Sequence, residues 1–146
     1  MKPFLLSVLV LLVLVPVAYA AKFTGPTTQD HPRAKAVVVT QEGMPVRITI
    51  FWRADCGNGR LTDDSSFVPP YDESTATFVR DRGEYTSTVE GPQGGNYRFH
   101  ALARIRARRV TDNKWRGKFR VSGEIRRDGE LITRCDTGRI RWRATR

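Results

Sequence analysis

The sequence predicts an all-β fold: an antiparallel, jelly-roll-like β-sandwich closed by one disulfide, with a small β-barrel as the alternative. Three observations predict it. At least five segments alternate apolar and polar residues with a period of two, which sends successive side chains to opposite faces of a sheet. No segment sustains the period of about 3.6 residues that marks an amphipathic helix. Turn-forming glycine, proline, asparagine and aspartate recur between the short apolar runs, as sandwiches and barrels require.

Residues 1–20 read as a signal peptide. Lys2 supplies a positive start, Phe4–Val17 is an apolar run broken by Pro16, and Ala18-Tyr19-Ala20 has the small-x-small form of a cleavage site, with cut expected after Ala20. The run is shorter than the roughly 20 residues of a spanning helix. No cysteine stands at the cleavage point to take a lipid. Residues 21–34, with Gly25, Pro26 and Pro32 among polar residues, are expected to form a flexible N-terminal arm, and residues 35–146 one sandwich domain.

Within that domain Lys35–Gln41 is a Val-rich strand, and Gly43-Met44-Pro45 a turn. Val46–Arg53 follows, with Val46, Ile48, Ile50 and Trp52 on one face. Cys56–Asp64, around Gly57-Asn58-Gly59, is expected to be a loop, and Ser65–Val68 a short strand ended by Pro69-Pro70. Thr75–Arg80 and Glu84–Val89 are expected to form a hairpin around Asp81-Arg82-Gly83. Gly91-Pro92-Gln93-Gly94-Gly95 is a long turn into the last third of the chain.

That last third is the most regular. Tyr97, Phe99, Ala101, Ala103, Ile105 and Ala107 alternate with Arg98, His100, Leu102, Arg104, Arg106 and Arg108. Trp115, Phe119, Val121 and Ile125 alternate with Arg116, Lys118, Arg120 and Arg126, and Ile140 and Trp142 with Arg139, Arg141 and Arg143. Three strands therefore share one dry face and one cationic face. A loop at Thr111-Asp112-Asn113 pairs Ile105 with Phe119, Ala103 with Val121 and Phe99 with Ile125. Asp128-Gly129, the strongest two-residue hairpin signal here, pairs Arg127 with Glu130, Ile125 with Ile132, Gly117 with Ile140 and Trp115 with Trp142. The outer face then stacks Arg108/Arg116/Arg141 and Arg106/Lys118/Arg139 in rows, with Arg104/Arg120 next and Arg143 beyond. Leu102, Ser122 and Cys135 form an uncharged row, and His100 meets Glu124. This register turns Arg134 and Asp136 inward unless a bulge near Cys135 rotates them out.

Charge follows the same division. The chain carries 25 Lys and Arg against 15 Asp and Glu, a net of +10, or +9 once Lys2 is removed with the signal peptide. Residues 21–97 hold 8 basic and 10 acidic side chains, a net of −2, whereas residues 98–146 hold 16 and 5, a net of +11. Such asymmetry fits an anionic partner. Arginine outnumbers lysine 20 to 5, which suits bidentate bonding of phosphate and carboxylate but also matches an arginine-rich genome. Opposed like charges on a sheet each cost tenths of a kcal/mol, so several rows side by side oppose the fold unless an anion offsets them.

The two cysteines, Cys56 and Cys135, allow one intramolecular bridge in an exported chain. Closing so long a loop constrains the unfolded state by roughly 4–5 kcal/mol on the chain-entropy argument. No metal site, no cofactor motif, no Gly-x-Ser-x-Gly elbow and no His-Glu-x-x-His is present in the sequence. His31 falls in the arm, and His100 reads as a surface residue paired to Glu124. Asp63-Asp64 and Asp72-Glu73 are the carboxylates a hydrolase could use. Trp52, Trp115, Trp142 and Phe119 fall on dry parity. Phe51 and Tyr71 are the candidates for exposed rings that a neutral sugar would want.

Trp115-Arg116-Gly117-Lys118-Phe119, Val121-Ser122-Gly123-Glu124-Ile125 and the closing Cys135-Asp136-Thr137-Gly138-Arg139-Ile140-Arg141-Trp142-Arg143-Ala144 resemble an uncharacterised family of small exported bacterial all-β proteins. In that family a Gly-x-Phe strand and a Val-x-Gly segment precede a terminal Cys-x-Thr-Gly-x-Ile/Val-x-Trp-x-Ala. The resemblance implies an exported sandwich with a Cys56–Cys135 bridge and implies no activity.

The functional expectation is a secreted, non-enzymatic binding module. Its site is the patch Arg104, Arg106, Arg108, Arg116, Lys118, Arg120, Arg139, Arg141 and Arg143. Its partner is an anionic polymer or surface: a polysaccharide, another envelope polymer or phospholipid headgroups. Without interleaved aromatics, base stacking and sequence-specific nucleic-acid recognition are not expected. The alternatives are a secreted hydrolase using carboxylates in 63–73 and an interaction protein docking an acidic partner.

Overall fold

The structure, a computed structural model, describes residues 19–57, 59–90 and 96–146, and every regular element among them is a β-strand. In chain order these are β1 (Ala20–Pro26), β2 (Lys35–Gln41), β3 (Met44–Cys56), β4 (Gly59–Phe67) and β5 (Glu73–Thr75). Then come β6 (Phe78–Glu90), β7 (Asn96–Thr111), β8 (Lys114–Arg127), β9 (Glu130–Asp136) and β10 (Ile140–Thr145). All pairings are antiparallel. One leaf runs β4-β3-β2-β1 and the other β5-β6-β7-β8. Strands β9 and β10 follow one another along the second edge of β8 and tie it back to the first leaf, β9 to the end of β3 and β10 to β1.

The alternation dictates what the leaves enclose. Phe23, Val38, Ile48, Ile50 and Trp52 enter one core from the first leaf, and Ile105, Trp115, Phe119, Val121, Ile140 and Trp142 from the second. Phe67 of β4 meets Phe119 of β8 edge to face across the leaves, with centroids 6.2 Å apart. Each such large side chain contributes about 1.5–3 kcal/mol on burial. Trp52 Nε1 donates to Ser65 Oγ at 3.0 Å, which lets the indole sit wholly buried. Cys56 of β3 and Cys135 of β9 face each other directly, Cα atoms 4.2 Å apart, and form the bridge across 79 positions of chain. The disulfide-closed antiparallel sandwich is therefore the fold.

Four local expectations are corrected. Residues 21–26, expected in a flexible arm, belong to β1, which pairs with β2 along its whole length and buries Phe23. Gly25 and Pro26 mislead here. Gly25 is where β1 passes β10 so closely that a Cβ would strike the Arg143 carbonyl. The expected 56–64 loop is mostly β4, pairing with β3 from Gly59 onward. As an edge strand it keeps only Leu61, Ser65 and Phe67 turned into shelter, so its alternation is too polar to see. The expected hairpin at Asp81-Arg82-Gly83 is absent: β6 runs straight through, Gly83 opposite Ala103, because pairing along all of β7 outweighs a local turn signal. Val46 is displaced from the Ile48–Trp52 face by a bulge opposite Val39 and Thr40. Residues 1–18 of the expected signal peptide, Asn58 and the turn expected over 91–95 lie outside the described residues.

The β7–β8 register is the expected one, with Phe99 opposite Ile125, Ala103 opposite Val121 and Ile105 opposite Phe119. The β8–β9 register starts as expected at Arg127 and Glu130, then slips by one residue at a bulge. Arg126 still faces Leu131, but Ile125 faces Thr133, leaving Ile132 extruded and 42% exposed. A one-residue slip exchanges the faces, so Cys135 turns inward opposite Gly123, leaving the expected uncharged outer row, and Arg134 and Asp136 turn outward. A second offset over residues 137–139 brings Ile140 opposite Phe119 and Trp142 opposite Gly117. The total shift of two restores parity, and both side chains stay in the core. Positions 117 and 123 face inward by the same alternation and are glycine, because the Trp142 and Phe99 rings and the Arg106 and His100 carbonyls occupy the space of a side chain.

Candidate anion-binding face

Long strands β6, β7 and β8, extended by β10, present one outer face on which the even-numbered positions of β7 and β8 stand. All nine residues of the expected patch are exposed on that face, turned away from Trp115, Phe119 and Trp142. The two-residue offset changes who stands beside whom. Arg108, Arg116 and Arg143 share one row, and Arg106, Lys118 and Arg141 the next. Arg104 and Arg120 form a third, with Arg139 beside them in the connection before β10. The expected rows had Arg141 and Arg139 in the places that Arg143 and Arg141 occupy.

Two members were missed. Arg80 and Arg82 stand opposite Arg106 and Arg104, widening the face to four strands. The signal was present, since Arg80, Arg82 and Glu84 alternate with Val79, Asp81, Gly83 and Tyr85, but Asp81 and Gly83 broke the apolar parity.

Acids border this face without covering it. Glu73 of β5 holds Arg80 at 2.7 Å, and Asp72 holds Arg82 at 3.7 Å. Arg120 donates to Asp136 at 2.6 Å through Nη2 and at 3.1 Å through Nε. Glu124 is shared by Arg126 and Arg134 at 3.0 and 3.5 Å. Of the nine expected patch residues only Arg120 has a carboxylate within 4.0 Å among the described residues. Burial works against ionisation of Asp136, yet the Arg120 and Gly138 hydrogen bonds outweigh it and hold its carboxyl below the usual range. The Arg126 hydrogen bond lowers Glu124 likewise, against a desolvation cost.

Between the rows lie two hollows that share the Arg106–Lys118 ridge. One, of about 410 Å³, is walled by Arg106, Arg108, Arg116, Lys118 and Arg141 over a floor at Ala107, Gly117 and Trp142. The other, of about 680 Å³, reaches from Arg82 to Arg139 and includes Asp72. Eight cations without a carboxylate partner among the described residues repel one another across one face, and an anion seated in these hollows would relieve that repulsion.

The other candidate residues do not converge. Asp63 and Asp64 lie on β4, lining a separate cleft of about 400 Å³ with Asp81 and Glu84. Asp72 and Glu73 are engaged by arginines. No cluster of three His, Cys, Asp or Glu side chains suited to a metal occurs among the described residues. His31 accepts from the Arg33 amide at 3.3 Å in the β1–β2 connection. His100 stands opposite Glu124 but lies 3.8 Å from Glu84 instead, Glu124 being taken by arginines. Phe51 is half-buried under the Lys35 ammonium, 4.7 Å from its centroid. Tyr71 packs against the core, where burial and then Asp81 push its hydroxyl up to about 12. No family model matches the chain, and neither do any of the curated proteins or solved structures.

Proposed function

We propose that this protein is an exported, non-enzymatic binding module that holds an anionic envelope polymer on the outer face of β6, β7, β8 and β10. The observation that carries this reading is the group Arg104, Arg106, Arg108, Arg116, Lys118, Arg139, Arg141 and Arg143, exposed on one face and free of carboxylate partners among the described residues. A solvated arginine surface would spread its charge or interleave it with acids. Here the acids stand at the border, at Glu73, Asp72, Glu84 and Asp136, and the centre is left cationic. A hydrolase working through the 63–73 carboxylates has less support, because Asp72 and Glu73 are held by Arg82 and Arg80 and do not line the Asp63–Asp64 cleft. Docking of an acidic protein uses the same face and differs in having a fixed stoichiometry.

The test is retention on anionic matrices at two ionic strengths. Retention should be strong at about 50 mM salt and fall steeply by about 200 mM, as it does when several cations release counterions together. Reversing Arg106 and Arg139 to glutamate should abolish it while far-UV circular dichroism stays unchanged. Unchanged retention would leave only a solvated face.

A further inference from the structure

We infer that the ligand is a linear acidic polysaccharide with one anionic group per sugar, lying across the strands in the trough between Arg108–Arg116–Arg143 and Arg106–Lys118–Arg141. This rests on the binding reading above and adds to it the ligand class and its direction. Spacing comes first. Neighbouring strands are roughly 5 Å apart, whereas successive outward positions along one strand are almost 7 Å apart. The closest ladder of cations therefore runs perpendicular to β7, β8 and β10, with Arg116 between Arg108 and Arg143 and Lys118 between Arg106 and Arg141. That repeat is about the length of one sugar ring. A condensed phosphate chain sets its charges much closer together, and a lipid surface has no direction to match.

The trough itself agrees. Its walls contain cations and no carboxylate, unlike the neighbouring hollow where Asp72 stands. Its floor lies at backbone level, because Ala107, Gly117 and Trp142 turn their side chains to the core or have none. A ring can settle between the arginine stems, whose methylenes cover its C–H faces while the guanidinium forks bond carboxylate or sulfate. Phe78, opposite Arg108, offers one ring and not the series on which successive bases stack. Among the described residues, none of the large exposed apolar side chains stands between the two rows to enter a bilayer.

Titration calorimetry of the full mature chain with oligogalacturonates of increasing length tests this. Polygalacturonate, long-chain polyphosphate, a single-stranded oligonucleotide and phosphatidylglycerol vesicles are compared at matched charge. Affinity should climb with each sugar to about three, the number of strands (β7, β8 and β10) that the ladder crosses at one ring per strand, and then level off. Arg116→Glu should weaken polygalacturonate at least about tenfold, and Arg98→Glu, the same charge change outside the trough, no more than about twofold. Arg141→Glu serves as the second trough variant if Arg116→Glu fails to fold, and Arg116→Lys should keep most of the binding. If polyphosphate, oligonucleotide or vesicles bind through Arg116 and galacturonates do not compete, the ligand class is wrong and the binding reading survives. Equal losses in Arg98→Glu and Arg116→Glu would remove the trough. Binding of no anionic probe at low salt overturns both.

Discussion

Arg120 of β8 grips Asp136 at the end of β9 through two guanidinium nitrogens, at 2.6 and 3.1 Å, and this contact exists because Ile132 is extruded as a bulge. Without the extra residue Asp136 would point into the core and Cys135 away from Cys56. One slipped position thus aligns the disulfide and sets the acidic border of the cationic face.

The same contact gives a pH dependence. Asp136 and Glu124 both have folded-state pKa values below their ordinary ones. Each therefore adds stability that is present above the unfolded value, about 4, and is lost as pH falls through the lower folded value. The melting temperature should fall between about pH 5 and pH 2, and Asp136→Asn should flatten that fall while lowering stability at neutral pH. An Asp136→Asn profile parallel to the wild type would show that the pair carries no linkage.

The bridge should be complete in the native protein, with no thiol available to labelling reagents. Cys56→Ser with Cys135→Ser should cost roughly 4–5 kcal/mol, which for a chain of this size lowers the melting temperature on the order of 10–20 °C. A double mutant melting within a few degrees of wild type would mean that the strands hold β3 to β9 unaided.

Two glycines, one on β8 and one on β6, should behave oppositely. A methyl at Gly117 meets the Trp142 ring and the Arg106 carbonyl, so Gly117→Ala should destabilise by about 1–3 kcal/mol. A methyl at Gly83 meets nothing within 4 Å, and its backbone is not in the left-handed region, so Gly83→Ala should be neutral or stabilising by up to about 1 kcal/mol. Denaturant titration separates the two, and equal losses would contradict the mid-strand position of Gly83.

Asp72 and Glu73 limit the cationic face at its β5 edge. Asp72→Asn with Glu73→Gln should free Arg82 and Arg80 and raise affinity for polygalacturonate about two- to fivefold, the scale of exposed ion pairs. Reduced affinity, at unchanged melting temperature, would mean that these acids help to bind.

Much of the cationic face was legible because alternation fixes faces locally. Once Phe99, Ala103 and Ile105 share parity with Ile125, Val121 and Phe119, a single register brings all of them to the core, and the arginines between them must stand outside. Arg80 and Arg82 were hidden because the inward positions between them and after them hold Asp81 and Gly83, which are only half-buried, so a charge and a bare backbone are tolerated there and the apolar signal lapses.

Sequence alone suffices for the fold class, the one possible disulfide, the β7–β8 register and the side of the sheet on which the nine patch cations stand. All of these follow from a two-residue period and from counting cysteines, whereas Arg134, expected inward, is turned outward by the β9 bulge. Long-range pairing is needed to see that Ala20–Pro26 joins the sheet, that β6 runs unbroken past Gly83, and that Ile132 bulges out. Those are choices between a local preference and pairing with a distant strand. Hydrogen bonds along β2, β7 and β8 outweigh a proline, a glycine turn or one displaced isoleucine, and no short stretch of sequence contains the partner that tips the balance.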